Sequence, residues 1–286
     1  DRYDIPFSNN ESFQQGVKVV YEFDAADVGR SYIYPAMARS FRTAGIQWAT
    51  HFAYDPTYLA YANTEYNTHY MNLVYTPQKA LALKIAGEVF HQVPVYKDFG
   101  SYPTNAEFGN FKVSYEEDLA VLNSSEKFIH TNHTREIPKD IEKLKHIAGW
   151  GNSPIVKYDG TGAYFLDEIQ TGVWRLEVLP DAVWIKDPFG KNSLNRRLTE
   201  IVWETRKMDL SLSSLGSDYS VQPIDDGNSW KDKVDESGFS VRPGTYLLIK
   251  KGAKLKGSID QKWANIRLNE FAGIEPTIDK SYVLHE

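Results

Sequence analysis

The sequence contains no cysteine. Disulfides, thiolate catalysis and cysteine-ligated zinc are therefore excluded, although the compartment is not fixed, because many secreted bacterial proteins also lack cysteine. No apolar run is long enough to span a bilayer, and no secretory leader opens the chain. It begins at Asp1 rather than methionine, as expected of a processed or excised piece. There is no excess of positive charge: the formal net charge is −6 and the pI about 5.7. Without a basic stripe, nucleic acid is not an expected partner. Histidines are scattered. The one close pair, His130-x-x-His133, has no third ligand nearby, so neither a metal nor another cofactor is expected. No G-x-S-x-G elbow and no phosphate-binding glycine loop occur, and there is no internal repeat.

What is present is bulk and aromatic rings. The 286 residues suffice for two domains or one large one. A hydrophobic content of 42% with 24% charged residues is that of a soluble globular chain. The 14% aromatic content suits a β-rich core, and it also suits platforms that stack on the apolar face of a pyranose.

Residues Val17–Pro56 carry the clearest local grammar. Val17–Phe23 is β-branched and aromatic, a buried-strand composition, with Glu22 at its C-terminal end and Asp24 and Asp27 after it. From Tyr34 to Thr43 the spacing of Met37, Phe41 and Ala44 predicts a helix with Arg39 and Arg42 facing elsewhere, and Gly45 is placed to end it. Ile46–Tyr54 reads as a second strand closed by Asp55-Pro56. Such β/α/β units build parallel sheets, and in those folds chemistry collects at the carboxyl ends of strands. Glu22 and the group His51, Tyr54 and Asp55 fall there. Trp48 lies opposite His51 by strand alternation, as a core residue or a sugar platform.

The strand Val19–Phe23, the segment Ala38–Ile46 and the strand Gln47–Phe52 together resemble the last two units of a (β/α)8 glycoside hydrolase. The superfamily is the large retaining one that includes cellulases, β-galactosidases and agarases. The resemblance implies that Glu22 is the nucleophile and that Tyr21, Trp48, His51, Tyr54 and Asp55 contact sugar. It also implies a polysaccharide or oligosaccharide substrate, an extracytoplasmic location and no cofactor. Hydrolysis with retention needs a second carboxyl about 5–5.5 Å from the first. In the superfamily that acid follows an asparagine at the end of the fourth strand, and no such strand end is found here. Asn10-Glu11 and Asn269-Glu270 have the letters without the context. The N-terminal barrel half is therefore expected elsewhere, on the same or a separate chain, and the 286 residues alone are expected to be inactive.

After a Tyr- and Asn-rich stretch at residues 57–76, Thr76-Pro77 starts a helix with Leu81, Ile85 and Val89 on its apolar face, ended by Val93-Pro94. Beyond Pro103 the pattern changes. Apart from an amphipathic helix expected over residues 137–147, short strands follow at close intervals, and Trp174, Leu176 and Val178 alternate with their neighbours. Asp159-Gly160 reads as a hairpin turn. Residues 225–237 read as an exposed polar loop. The expected architecture is thus α+β and multidomain: the end of a (β/α)8 TIM barrel over residues 1–102, then an antiparallel β-sandwich over 103–286. The alternative function is a carbohydrate-binding or structural sandwich module without catalysis of its own.

Overall fold

The computed structural model describes residues 3–24, 29–54, 71–185 and 199–273. A short helix, α1 (Glu11–Gln15), precedes β1 (Val19–Phe23), α2 (Ile33–Thr43), β2 (Trp48–His51) and α3 (Pro77–Gln92). The strands β1 and β2 pair in parallel, with Val19 opposite Trp48 and Phe23 opposite His51, so the opening β/α/β unit forms. It does not continue into a barrel. The pair is a separate two-stranded sheet, and the chain beyond α3 is almost wholly antiparallel β. Of the described residues 33% lie in strands and only 16% in helices, too little helix for strand–helix alternation. The (β/α)8 expectation for residues 1–102 is therefore overturned, and the fold is mostly β.

The body is a nine-stranded sheet. Along the chain its strands are β3 (Glu107–Phe108), β4 (Phe111–Ser114), β5 (Leu119–Asn123), β6 (Lys127–His130), β7 (His146–Gly149), β9 (Tyr164–Gln170), β10 (Val173–Val178), β14 (Tyr219–Pro223) and β16 (Gly244–Lys250). In space they run β14-β16-β10-β9-β7-β6-β5-β4-β3. Every pairing is antiparallel except β6 with β7. A second sheet of three strands orders β15 (Phe239–Val241), β13 (Arg206–Leu210) and β8 (Val156–Tyr158). Two hairpins complete the set: β11 (Asp181–Trp184) with β12 (Thr199–Val202), and β17 (Lys262–Trp263) with β18 (Ile266–Arg267).

Strand alternation sorts the large sheet into two faces. On one, Phe128, Leu166, Trp174, Leu176 and Leu248 meet Val156, Met208 and Phe239 of the small sheet in a common core. On the other, Val113, Leu122 and Ile129 pack under Leu81, Ile85 and Val89 of α3 and Tyr34 and Ala38 of α2. Residues before and after position 102 thus share one core. The same face continues over β10 and β16, where Val173 and Leu247 are covered by Leu268 and Trp263 of the C-terminal segment.

Residues 137–147 do not form the expected helix. They hold a single 3₁₀ turn, Ile141–Lys143, and then β7. Leu144 and Ile147, spaced for a helix face, are instead buried in the sheet core. Asp159-Gly160 is likewise not a hairpin turn, because β8 and β9 belong to different sheets. The chain turns tightly instead between β9 and β10, at Gly172 with φ of +75°, a conformation glycine adopts without strain.

Candidate functional site

The β1–β2 pair carries two groups of side chains, an inner one at the carboxyl ends of the strands and an outer one along its exposed side. The inner group faces the helices. Asp24, one residue past β1, accepts a hydrogen bond from the Tyr34 hydroxyl at 2.8 Å. With that hydrogen committed, His51 donates from Nε2 to the Tyr34 oxygen at 3.1 Å and approaches Asp24 Oδ1 at 3.5 Å. Lys79 of α3 places its ammonium 4.0 Å from the same oxygen with its side chain 3% exposed, over the Tyr34 ring. The Phe23 ring packs edge-on against both Tyr34 and His51. Burial of an acid is tolerable because the Tyr34 hydroxyl donates to it and the Lys79 ammonium lies nearby. This group locks the β/α/β unit to α3.

The outer group is exposed. The pairing register slips between Val20 and Phe23, a β-bulge that leaves Tyr21 and Glu22 together against Thr50. Both are exposed. Val19 and Trp48, partners in the ladder, are exposed on the pair as well, Trp48 to 65%. Its indole Nε1 donates to Thr50 Oγ1 at 3.1 Å. The core alternative for Trp48 is thus removed: no element among the described residues covers that face. The strand end thus presents an exposed carboxylate beside a phenol, and the neighbouring strand opens with an exposed indole.

Of the expected site residues, the structure leaves Glu22, Tyr21 and Trp48 exposed on the β1–β2 pair, with Trp48 at its amino end. It separates His51, which faces the helices. Tyr54 is half-exposed and its hydroxyl accepts from the Leu73 amide at 2.8 Å. Asp55 lies outside the described residues, as do Asp27 and most of the 57–76 stretch. The pair His130 and His133 does not converge on a common point. His130 bonds Asn132 O and Tyr164 Oη, while His133 Nδ1 accepts from the Asn152 amide. Among the described residues no group of three or more histidine and acidic side chains is arranged to hold a metal, and no helix is long and apolar enough to cross a membrane.

A second concavity was not foreseen. The loop after β14, the Arg242-Pro243 turn and residues 267–271 enclose a cleft of about 1150 Å³. Trp203, Trp230 and Phe271 provide its rings. Its wall is built by side chain-to-backbone bonds: Asp225 Oδ1 accepts from the Thr245 amide at 2.6 Å, and Trp230 Nε1 donates to Ser240 O at 3.1 Å. Below it, buried Arg175 holds Leu268 O at 3.0 Å, Glu270 O at 2.6 Å and Glu177 at 2.8 Å. Glu177 in turn accepts from the Ala272 amide at 2.7 Å. The signal in the sequence is the coincidence of Trp230 with an Asp-Asp-Gly-Asn turn. It is weak, because the tail residues that complete the cleft lie some forty positions away. No protein-family model, no curated protein and no solved structure matches this chain.

Proposed function

We propose that this chain belongs to a retaining glycoside hydrolase and that Glu22 is its nucleophile. The observation that carries the reading is the bulged end of β1, where an exposed carboxylate stands beside Tyr21 at the carboxyl end of a parallel strand pair whose second strand opens with the exposed Trp48. In this mechanism Glu22 attacks the anomeric carbon of a bound polysaccharide or oligosaccharide, and the leaving oxygen takes a proton from a second carboxyl. Water activated by that second group then releases the sugar with its configuration retained. Tyr21 and Trp48 supply the stacking faces. His51, held by Tyr34 and Asp24, fixes the strand end rather than touching the sugar. No cofactor is required, a polymeric substrate favours an extracytoplasmic location, and the proton donor comes from polypeptide outside the strands described.

The test is Glu22→Gln in the complete natural protein. The amide matches the carboxylate in shape, so fold and substrate binding should persist while turnover drops by many orders of magnitude. Azide should restore part of the turnover of an activated glycoside in Glu22→Ala, with inverted product. Near-normal hydrolysis by Glu22→Gln would remove Glu22 from the mechanism.

A further inference from the structure

The cleft bounded by Trp203, Trp230 and Phe271 shares no residue with the strand-end site, and its construction is that of a binding site. Its rings are all partly exposed. Trp203 is exposed to 36% and meets Phe271 edge-on at 6.0 Å. Trp230 is half-buried, pinned by its Nε1 bond to Ser240, with the Arg242 guanidinium over its ring at 4.4 Å. Such a cation–π pair orients both partners.

The polar lining points to the class of ligand. Three acidic side chains, Asp225, Asp226 and Glu270, face three basic ones, Lys231, Arg242 and Arg267. The balance selects against a strongly charged ligand of either sign. Among the described residues Asp226, Lys231 and Arg267 make no side-chain hydrogen bond, so carboxylate, ammonium and guanidinium groups are left to bind something else. Asn269 spends its amide nitrogen on Asp260 at 2.8 Å and keeps its oxygen. Flat apolar faces interleaved with free donors and acceptors match a molecule that alternates apolar ring faces with equatorial hydroxyls. The volume exceeds that of a typical small-molecule pocket, about 300–1,000 Å³, and so accommodates several linked rings.

Preorganisation supports the same conclusion. The segment 267–271 is not a loose tail. Arg175, 2% exposed, holds two of its carbonyls and Thr245 Oγ1 bonds Glu270 O at 3.0 Å. A site whose backbone is fixed before the ligand arrives loses less entropy on binding.

We propose that this cleft is a second saccharide-binding site, taking a neutral oligosaccharide segment by stacking on Trp203 and Trp230 and bonding its hydroxyls to Asp226, Arg267 and Asn269. It would hold polymer independently of the catalytic residue.

The experiment is affinity electrophoresis of the full chain through native gels containing β-glucan, galactan, xyloglucan or agarose, with alginate as an anionic control. Retardation is expected in at least one neutral gel and not in alginate. Trp203→Ala and Trp230→Ala should each weaken it at least tenfold. Because Trp230 is half-buried, its variant is read beside Asn269→Ala, which should weaken retardation severalfold with an unchanged thermal midpoint. Trp48→Ala, which removes a stacking face of the strand-end site, should be retarded like the parent, which separates the two sites. Absence of retardation in all four neutral gels, equal retardation in alginate, or retardation that survives both tryptophan substitutions would overturn the proposal.

Discussion

His130 is wholly buried. Its Nδ1 donates to Asn132 O at 2.8 Å, and its Nε2 lies 2.9 Å from the Tyr164 hydroxyl, which also reaches Gly151 O at 3.1 Å. One hydroxyl hydrogen serves two acceptors. Burial pushes the imidazole down to about 4, against about 6.5 in an unfolded chain. Between those values the unfolded state binds a proton that the folded state refuses. Stability therefore falls as pH drops from about 6.5 towards 4, by roughly 3 kcal/mol, and this contribution levels off below. In His130→Gln the urea midpoint should be much flatter over that interval. An unchanged pH slope would show that other groups carry it. Gly149 belongs to the same site: a Cβ there would lie 2.4 Å from His130 Nε2, so Gly149→Ala should destabilise by displacing the ring. None of this was legible in the sequence, where His130 suggested only a weak metal pair. Arg39 was also misjudged. It is 2% exposed, donates to Asn105 O at 2.5 Å and covers the Phe108 ring. Periodicity finds one apolar stripe, but α2 is covered on two sides, by α3 and by the edge of the large sheet.

At the scale of elements, the alternation of Trp174, Leu176 and Val178 is seen directly: all three are buried on one face, Trp174 to 1% exposure. The indole Nε1 donates to Ser214 Oγ at 2.9 Å. Trp174→Ala should cost about 3–5 kcal/mol, as for other large core truncations. A thermal midpoint unaffected by the change would contradict the packing described. The helix α3 was equally readable. Thr76 precedes it and Pro77 opens it, although the Thr76 hydroxyl bonds back to Asn72 rather than capping the helix. Residues 137–147 were misread because four residues of strand and one 3₁₀ turn place apolar side chains three apart, as a helix does. The strand-end site was half legible. Glu22, Tyr21 and Trp48 could be found from composition and position, but the bulge that sets which way they face depends on pairing register, which no single strand reveals.

For the whole molecule, the shared core predicts cooperative behaviour. Residues 103–286 alone would lay bare Val113, Leu122 and Ile129, which α2 and α3 cover. That truncation should bind the dye ANS strongly and unfold at lower denaturant than the full chain, which should show one calorimetric transition. Two well-separated transitions in the full chain would contradict this. The Arg175–Glu177 pair is the second long-range tie. Glu177→Gln should cost about 3 kcal/mol in a denaturant melt by leaving a buried guanidinium without its charge partner. The substitution should also speed proteolysis near residue 272, where Glu177 holds the backbone.

The outer face of the β1–β2 pair bears on how this protein behaves as a colloid. Val17, Val19, Tyr21 and Trp48 are all more than half exposed, on a ribbon of only two strands whose outer edges have no ladder partner among the described strands. Water wets such a patch poorly, and unpaired edges recruit further strands. The net charge of −6 keeps molecules apart in dilute buffer, but salt screens that repulsion within about 10 Å at 0.1 M. The second virial coefficient should therefore turn from positive to negative as salt is raised, and Trp48→Lys should postpone the crossing.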